Sequence, residues 1–177
     1  MNAFGSSDRF EQAILPHLDA AYNLARWLTG NDHDAKDVAQ EALLRAVKFF
    51  GSFRGANARA WLLTIVRNTG YTWLKQNRNL HLIDEFDEEL HALEDPGRQP
   101  DVLVGRTANL EVLRQAIGQL PIEFREIIIL RELEGMAYKD IAEVAGIPIG
   151  TVMSRLARAR KQLQHALVAL NETSHQP

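Results

Sequence analysis

The sequence predicts an all-α chain: two small helical domains joined by an acidic linker, the second domain containing a helix-turn-helix. Three observations carry that prediction. Apolar residues recur at three- and four-residue spacing along most of the chain, and no stretch alternates with the period of a strand. Glycines, prolines and asparagines cut this pattern into segments of helical length. Acidic residues are concentrated in one block, with eight between Asp84 and Asp101 against Arg98 alone, so the formal charge of −3 becomes +4 without that block.

The elements follow in order. Phe10, Ile14, Leu18, Ala21, Tyr22, Ala25 and Leu28 form the stripe of an amphipathic helix from Asp8 to Thr29. Pro16 should kink or restart it, because proline removes a backbone donor and clashes with the preceding turn. Gly30 and Asn31 end it, with Asp32 or Asp34 placed to cap the next helix. That helix, Ala35 to Phe50, buries Ala35, Val38, Ala39, Ala42 and Ala46, with Phe49 or Phe50 closing the stripe. "GSFRGAN" is a break, and Ala58 to Gln76 is a third helix with Trp61, Leu62, Ile65 and Leu74 as core. Residues 1–78 therefore form the first domain and 79–106 the linker, marked by Pro96, Gly97 and Pro100. Residues 107–177 form the second domain. Its helices run Asn109 to Leu120, Pro121 to Leu133 with proline at the first helical position, Tyr138 to Ala145, and Ile149 to Leu170.

At 177 residues and 20.0 kDa the chain suits one ordinary or two small domains. The absence of cysteine excludes disulfides, thiolate metal sites and a cysteine nucleophile. "MNAFGSSDRFEQ" lacks the pattern of a signal peptide, and no apolar run approaches the ~20 residues of a membrane span, so a cytoplasmic location is expected. The six histidines are scattered, and HExxH, a phosphate-binding glycine loop and a nucleophile elbow are all missing. No catalytic residue, metal or cofactor is expected.

Charge segregation points to a polyanion. Residues 42–83 and 144–171 contain no acid, while Arg45, Lys48, Arg54, Arg59, Arg67, Lys75 and Arg78 fall in the first stretch. "YKDIAEVAGIPIGTVMSRLARAR" has the features of a helix-turn-helix. Ala142 is small at the helix crossing, Gly146 suits a positive φ, Pro148 interrupts, and Val152 sets the crossing angle. Gly150 and Thr151 begin a helix whose N–H groups can receive a phosphate. Ser154, Arg155 and Arg158 share one face, flanked by Arg160 and Lys161. Upstream, "RGANARAWLLTIVRNTGYTWLKQNR" interleaves cations with Trp61, Tyr71 and Trp73, a composition that stacks unpaired bases along a charged groove. Within the loop Gly51 to Asn57, Phe53, Arg54 and Asn57 are the candidates for capturing a splayed base. On the preceding helix Asp37, Glu41, Leu44 and Lys48 share a face away from the core stripe, where an exposed leucine among charges suggests a contact.

Three co-linear motifs, "DAKDVAQEALLRAVKFF", "FRG…ARAWLLTIVRNTGYTWL" and "LPIEFREIIILRELEGMAYKDIAEVAGIPIGTVMSRLARARKQL", resemble the bacterial RNA polymerase sigma factors of the extracytoplasmic-function (ECF) type, within the sigma-70 family. The resemblance implies a promoter-specificity subunit without catalytic activity of its own, paired with an anti-sigma factor. It implies docking on the clamp helices of the largest polymerase subunit through Asp37, Gln40, Glu41, Leu44 and Arg45. Phe53, Arg54, Asn57, Arg67, Asn68 and Tyr71 would melt and read the −10 element. Tyr138, Lys139, Thr151, Ser154, Arg155, Arg158 and Arg160 would read the −35 element. The chain departs from the family at Met153, where Lys or Arg is common, and at Ala137, where a Ser usually caps the first helix of the motif.

The 28-residue linker averages ~30 Å as a free coil and stretches to roughly 90 Å. Reading two sites about two DNA turns apart, at ~34 Å per turn, calls for an extended linker held by a larger partner. Free in solution, its acids are expected to fold back onto the basic faces.

Overall fold

The computed structural model describes residues 3–77 and 100–173, with side chains described for 7–77 and 108–173. The linker stretch 79–99 and its proposed contacts with the basic faces lie outside these residues.

Among the described residues every regular element is helical. Helix α1, Ala3–Ile14, gives way at Pro16 to a 3₁₀ turn, Leu15–His17, and resumes as α2, Leu18–Thr29, as the missing proline donor requires. Gly30 ends α2 in the left-handed region at φ 86°. Helix α3, Asp32–Phe49, starts earlier than expected, and its cap is Asn31 rather than either aspartate: the Asn31 carbonyl oxygen Oδ1 accepts from the Asp34 N–H at 2.8 Å. Helix α4 spans Ala58–Gln76, as its periodicity predicts, with the Asn57 side chain accepting from the Ala60 N–H at 3.0 Å.

In the second half, α5 runs from Pro100 to Gly118, so helix begins inside the stretch assigned to the linker. Pro121 caps α6, Ile122–Ile128, instead of occupying its first turn. A single π-helical turn, Ile129–Leu133, then carries the chain to Gly135, whose φ of 63° permits the reversal into α7, Tyr138–Ala145. Helix α8, Ile149–Thr173, is the longest element.

In the first domain α2, α3 and α4 pack mutually through Leu24, Leu28, Val38, Ala42, Ala46, Leu62, Leu63 and Val66. Gly70 lets α4 cross close to α2: a Cβ there would lie 2.8 Å from the Leu28 Cδ1, which would have to shift. In the second domain α8 packs on α5, α6 and α7 through Ile127, Ile128, Ile141, Val152, Leu156 and Ala159. Burying each of these large side chains contributes about 1.5–3 kcal/mol. The two domains are in contact: α4 lies against α7 and α2 against α6, so one apolar core runs through both.

Candidate nucleic-acid interface

The helix-turn-helix forms as the local sequence dictates. Gly146 adopts φ 65° and closes α7, while the Ile147 N–H donates back to the Ala142 carbonyl at 3.1 Å. Ala137 provides no side-chain cap to α7. Val152 is fully buried against α7, and with Leu156 and Ala159 it fixes the inner stripe of α8. The opposite face is then Gly150, Met153, Ser154, Ala157, Arg158 and Lys161, all exposed. The remaining candidates divide by environment. Lys139 is exposed, and Tyr138 is half-buried beneath the Arg131 guanidinium, 4.8 Å from the ring centre. Arg155 is half-buried on the side of α8 facing Glu126. Arg160 is held by Glu132 at 2.6 and 3.1 Å, an exposed pair whose hydrogen bonding raises the Arg160 pKa. The expectation of a free N–H at Thr151 is corrected, because it donates to the Pro148 carbonyl at 2.9 Å.

The candidate polymerase-docking face of α3 is open. Leu44 is 67% exposed, with Asp37, Gln40 and Glu41 also exposed around it. Arg45 bridges Glu41 at 2.9 Å and reaches the Thr69 hydroxyl on α4 at 3.3 Å, so the face is braced by the helix behind it. Val47 is exposed as well and widens the apolar patch, a residue that charge-based reading passed over.

The loop between α3 and α4 differs from its expected character. Phe53 is buried instead of being presented to solvent: its ring lies 5.8 Å from Phe50 and 5.1 Å from Trp61. The physical cause is the aromatic cluster itself, which gains more from removing Phe53 from water than an exposed loop could offer. Arg54 is exposed, yet it ties the loop down by donating to the Gly51 carbonyl at 2.6 Å, and Asn57 is spent on the cap of α4. Asn68 on α4 is exposed.

Arg67 and Tyr71, one turn apart on α4, face the second domain. Arg67 donates through Nε and Nη2 to both carboxylate oxygens of Glu126 on α6, at 2.7 and 3.1 Å. Its guanidinium also stacks 4.3 Å from the Tyr71 ring centre. Glu126 is wholly buried, and burial raises its pKa above the ordinary carboxylate value although Arg67 opposes the shift. The Tyr71 hydroxyl is buried beside it, and burial, followed by the Glu126 charge, drives its pKa well above that of a free phenol. A second polar cluster lies at Glu134: its carboxylate accepts from Asn23 at 2.7 Å and from Arg59 at 2.7 Å, and its carbonyl accepts from the same Arg59 nitrogen at 2.7 Å. Arg125 completes the seam by donating to the Trp27 carbonyl at 3.1 Å, and burial lowers its pKa to about 10. Neither Glu126 nor Glu134 was among the residues picked from the sequence. The available signal was Glu126 itself, an acid in register with a buried "IIIL" run.

The comparisons with known proteins agree in both halves. Residues 13–80 match the family described as Sigma-70 region 2, and residues 110–163 match Sigma-70, region 4. RNA polymerase sigma-H factor of Pseudomonas aeruginosa is 35% identical over 174 residues, covering 94% of this chain and 90% of that protein. ECF RNA polymerase sigma factor SigE of Mycolicibacterium smegmatis is 30% identical over 161 residues, but the chain spans only 61% of its length. Among solved structures, the sigma factor RpoE in complex with the anti-sigma factor NepR from Bartonella quintana aligns with a TM-score of 0.71 and 33% identity, covering 90% of this chain and 96% of that one. With region 2 on α2 to α4, region 4 on α5 to α8, and relatives aligned across nearly the whole chain, the protein belongs to the ECF sigma factors of the sigma-70 family.

Proposed function

We propose that the protein binds the RNA polymerase core through the exposed face of α3 and directs initiation at promoters whose −35 element is read by α8. The observation that carries this reading is the outer face of α8. It is free of acids and opposite a fully buried inner stripe, with Ser154 and Arg158 one turn apart as a major-groove reader needs. Melting and reading of the −10 strand falls to α4 and the loop before it, through Arg54, Arg67, Asn68 and Tyr71, with Asn57 and the Phe53 cluster holding the loop in place. Asp37, Gln40, Glu41, Leu44 and Arg45 dock on the clamp helices of the largest subunit. The protein contributes specificity and no catalysis, and it acts in the cytoplasm; among the described residues no helix is long and apolar enough to cross a membrane. An anti-sigma factor is its regulator, as the complex of the Bartonella relative suggests.

Run-off transcription with purified core polymerase tests the reading. The protein should confer start-site choice on the core, and Glu41→Lys should abolish core association while leaving the helical circular dichroism unchanged. Normal association of that variant would reject the α3 docking face, and absence of promoter-dependent product from the unaltered chain would reject the function.

A further inference from the structure

Helix α8 turns two unlike rows of side chains outward. Counted in steps of four along the helix, Gly150, Ser154 and Arg158 form one row, polar and cationic. Ile149, Met153 and Ala157 form the row beside it, which is apolar throughout. Ile149 is 45% and Met153 53% exposed, so neither belongs to the core that Val152, Leu156 and Ala159 make on the inner side. We propose that the apolar row reads thymine: Met153, with Ile149 beside it in the row, packs on the C5-methyl group of a thymine in the −35 element. The neighbouring row supplies the hydrogen bonds to adjacent base edges. Met153 is then a specificity-determining residue for promoter choice. This inference rests on the reading of α8 as the −35 surface.

Position, access and charge favour a base methyl over other occupants. Thymine displays its methyl in the major groove, and the N-terminal residues of a recognition helix are the ones that approach base edges. Ile149 and Met153 fall in the first two turns of α8. The approach is open, since a Cβ placed on Gly150, three residues before Met153, would meet nothing within 4 Å. Residues 144–171 hold no acid, and Arg158 and Lys161 are exposed on the same outer face. An apolar protein partner would leave those cations unmatched, whereas a duplex brings phosphates to them and a methyl group to Met153. Arg160, seven residues on from Met153 and on the same side of the helix, is engaged by Glu132 at 2.6 Å, which leaves the apolar row without a competing free guanidinium. The unbranched thioether chain suits the task, because its flexibility and polarizable sulfur let it follow an irregular apolar surface.

Sequencing the promoter DNA retained by reconstituted holoenzyme defines the −35 element. Each thymine of that element, on either strand, is then replaced singly by deoxyuridine, which keeps every hydrogen-bonding group and lacks only the methyl. At one or two adjacent thymines the unaltered holoenzyme should lose about three- to fivefold in affinity, the effect of one buried methyl. Met153→Ala, at an exposed helical position that alanine suits, should show a similar loss on the thymine promoter and no further loss on uracil. Met153→Lys should move the preferred base at that position from thymine to guanine, whose O6 and N7 accept from a lysine. A retained −35 element without thymine, uracil tolerated at every position, or an equal uracil penalty in the unaltered and Met153→Ala holoenzymes would overturn the thymine contact. Weakened assembly of Met153→Ala with core polymerase, at an unchanged response to uracil, would overturn it too and would seat a protein on the row. Affinity indifferent to the −35 sequence altogether removes the −35 reading and the thymine contact together. Affinity that follows the sequence but ignores the methyl removes the thymine contact alone.

Discussion

Substituting Glu126 by alanine tests the energetics of the contact between the domains. The carboxylate is wholly buried and receives both hydrogen bonds from an Arg67 side chain that is only 18% exposed. Removing one member of such a pair leaves an uncompensated charge in a low-dielectric seam, at a cost of about 3–5 kcal/mol. For a chain of this length each kcal/mol moves the midpoint by roughly 2–4 °C, so the transition reporting domain contact should fall by about 6–20 °C. Arg67→Ala should cost a comparable amount, since it strands Glu126 instead. Removing both partners removes the stranded charge, so the double variant should be less destabilised than the sum of the single variants by at least ~1.5 kcal/mol. Urea denaturation of the four proteins, followed by circular dichroism and by tryptophan fluorescence, gives the cycle; Trp27 reports directly because its carbonyl accepts from Arg125 across the seam. Single-variant costs that add to the double-variant cost within ~0.5 kcal/mol would refute the reasoning, for then the two groups would not interact in solution as they do in the fold.

Stability should also depend on pH. Burial raises the Glu126 pKa, so the folded chain binds a proton there more tightly than the unfolded chain. The contribution of this group is therefore most favourable below the ordinary carboxylate range and is lost as pH rises from that range through the raised value. Arg67 and Tyr71 on α4 and Arg155 on α8 are the charged or titratable groups that act on it, and Glu123 on α6 acts on Tyr71. Urea midpoints of the unaltered chain that fall relative to those of Glu126→Gln on mild acidification would contradict this sign. Gly146→Ala forces a Cβ into the left-handed region at φ 65°, although nothing crowds the site, and should cost about 1–2 kcal/mol in thermal denaturation; no loss would show that the turn relaxes. Arg158→Ala should weaken promoter binding by the holoenzyme by ~1–3 kcal/mol if the exposed guanidinium reads a base, and unchanged binding would remove that assignment.

The helices themselves were legible in the sequence because their signals are local. Pro16 broke the first pattern where proline must, Gly146 took the positive φ its turn needs, and α4 and α7 began and ended where periodicity and turn residues placed them. Errors of a few residues arose where two neighbouring groups could do the same task. Asn31 caps α3 in place of the adjacent aspartates, and Pro121 stands just outside α6. The candidate −35 face was equally legible, since Val152, Leu156 and Ala159 define which side of α8 is inside and leave Ser154 and Arg158 outside.

By itself the sequence determined that this protein is built of helices, that two of them form a helix-turn-helix, and that Leu44 on α3 lies outside the core stripe among charged neighbours. Only the tertiary structure decided that Phe53 joins an aromatic cluster and that Arg67 and Tyr71 meet Glu126 across 59 and 55 positions of sequence. Helical periodicity tells which side of an element avoids water, but it does not name the surface that covers it. That choice is made by shape and charge complementarity between segments far apart in the chain, and here it places an acid of one domain on the arginine of the other.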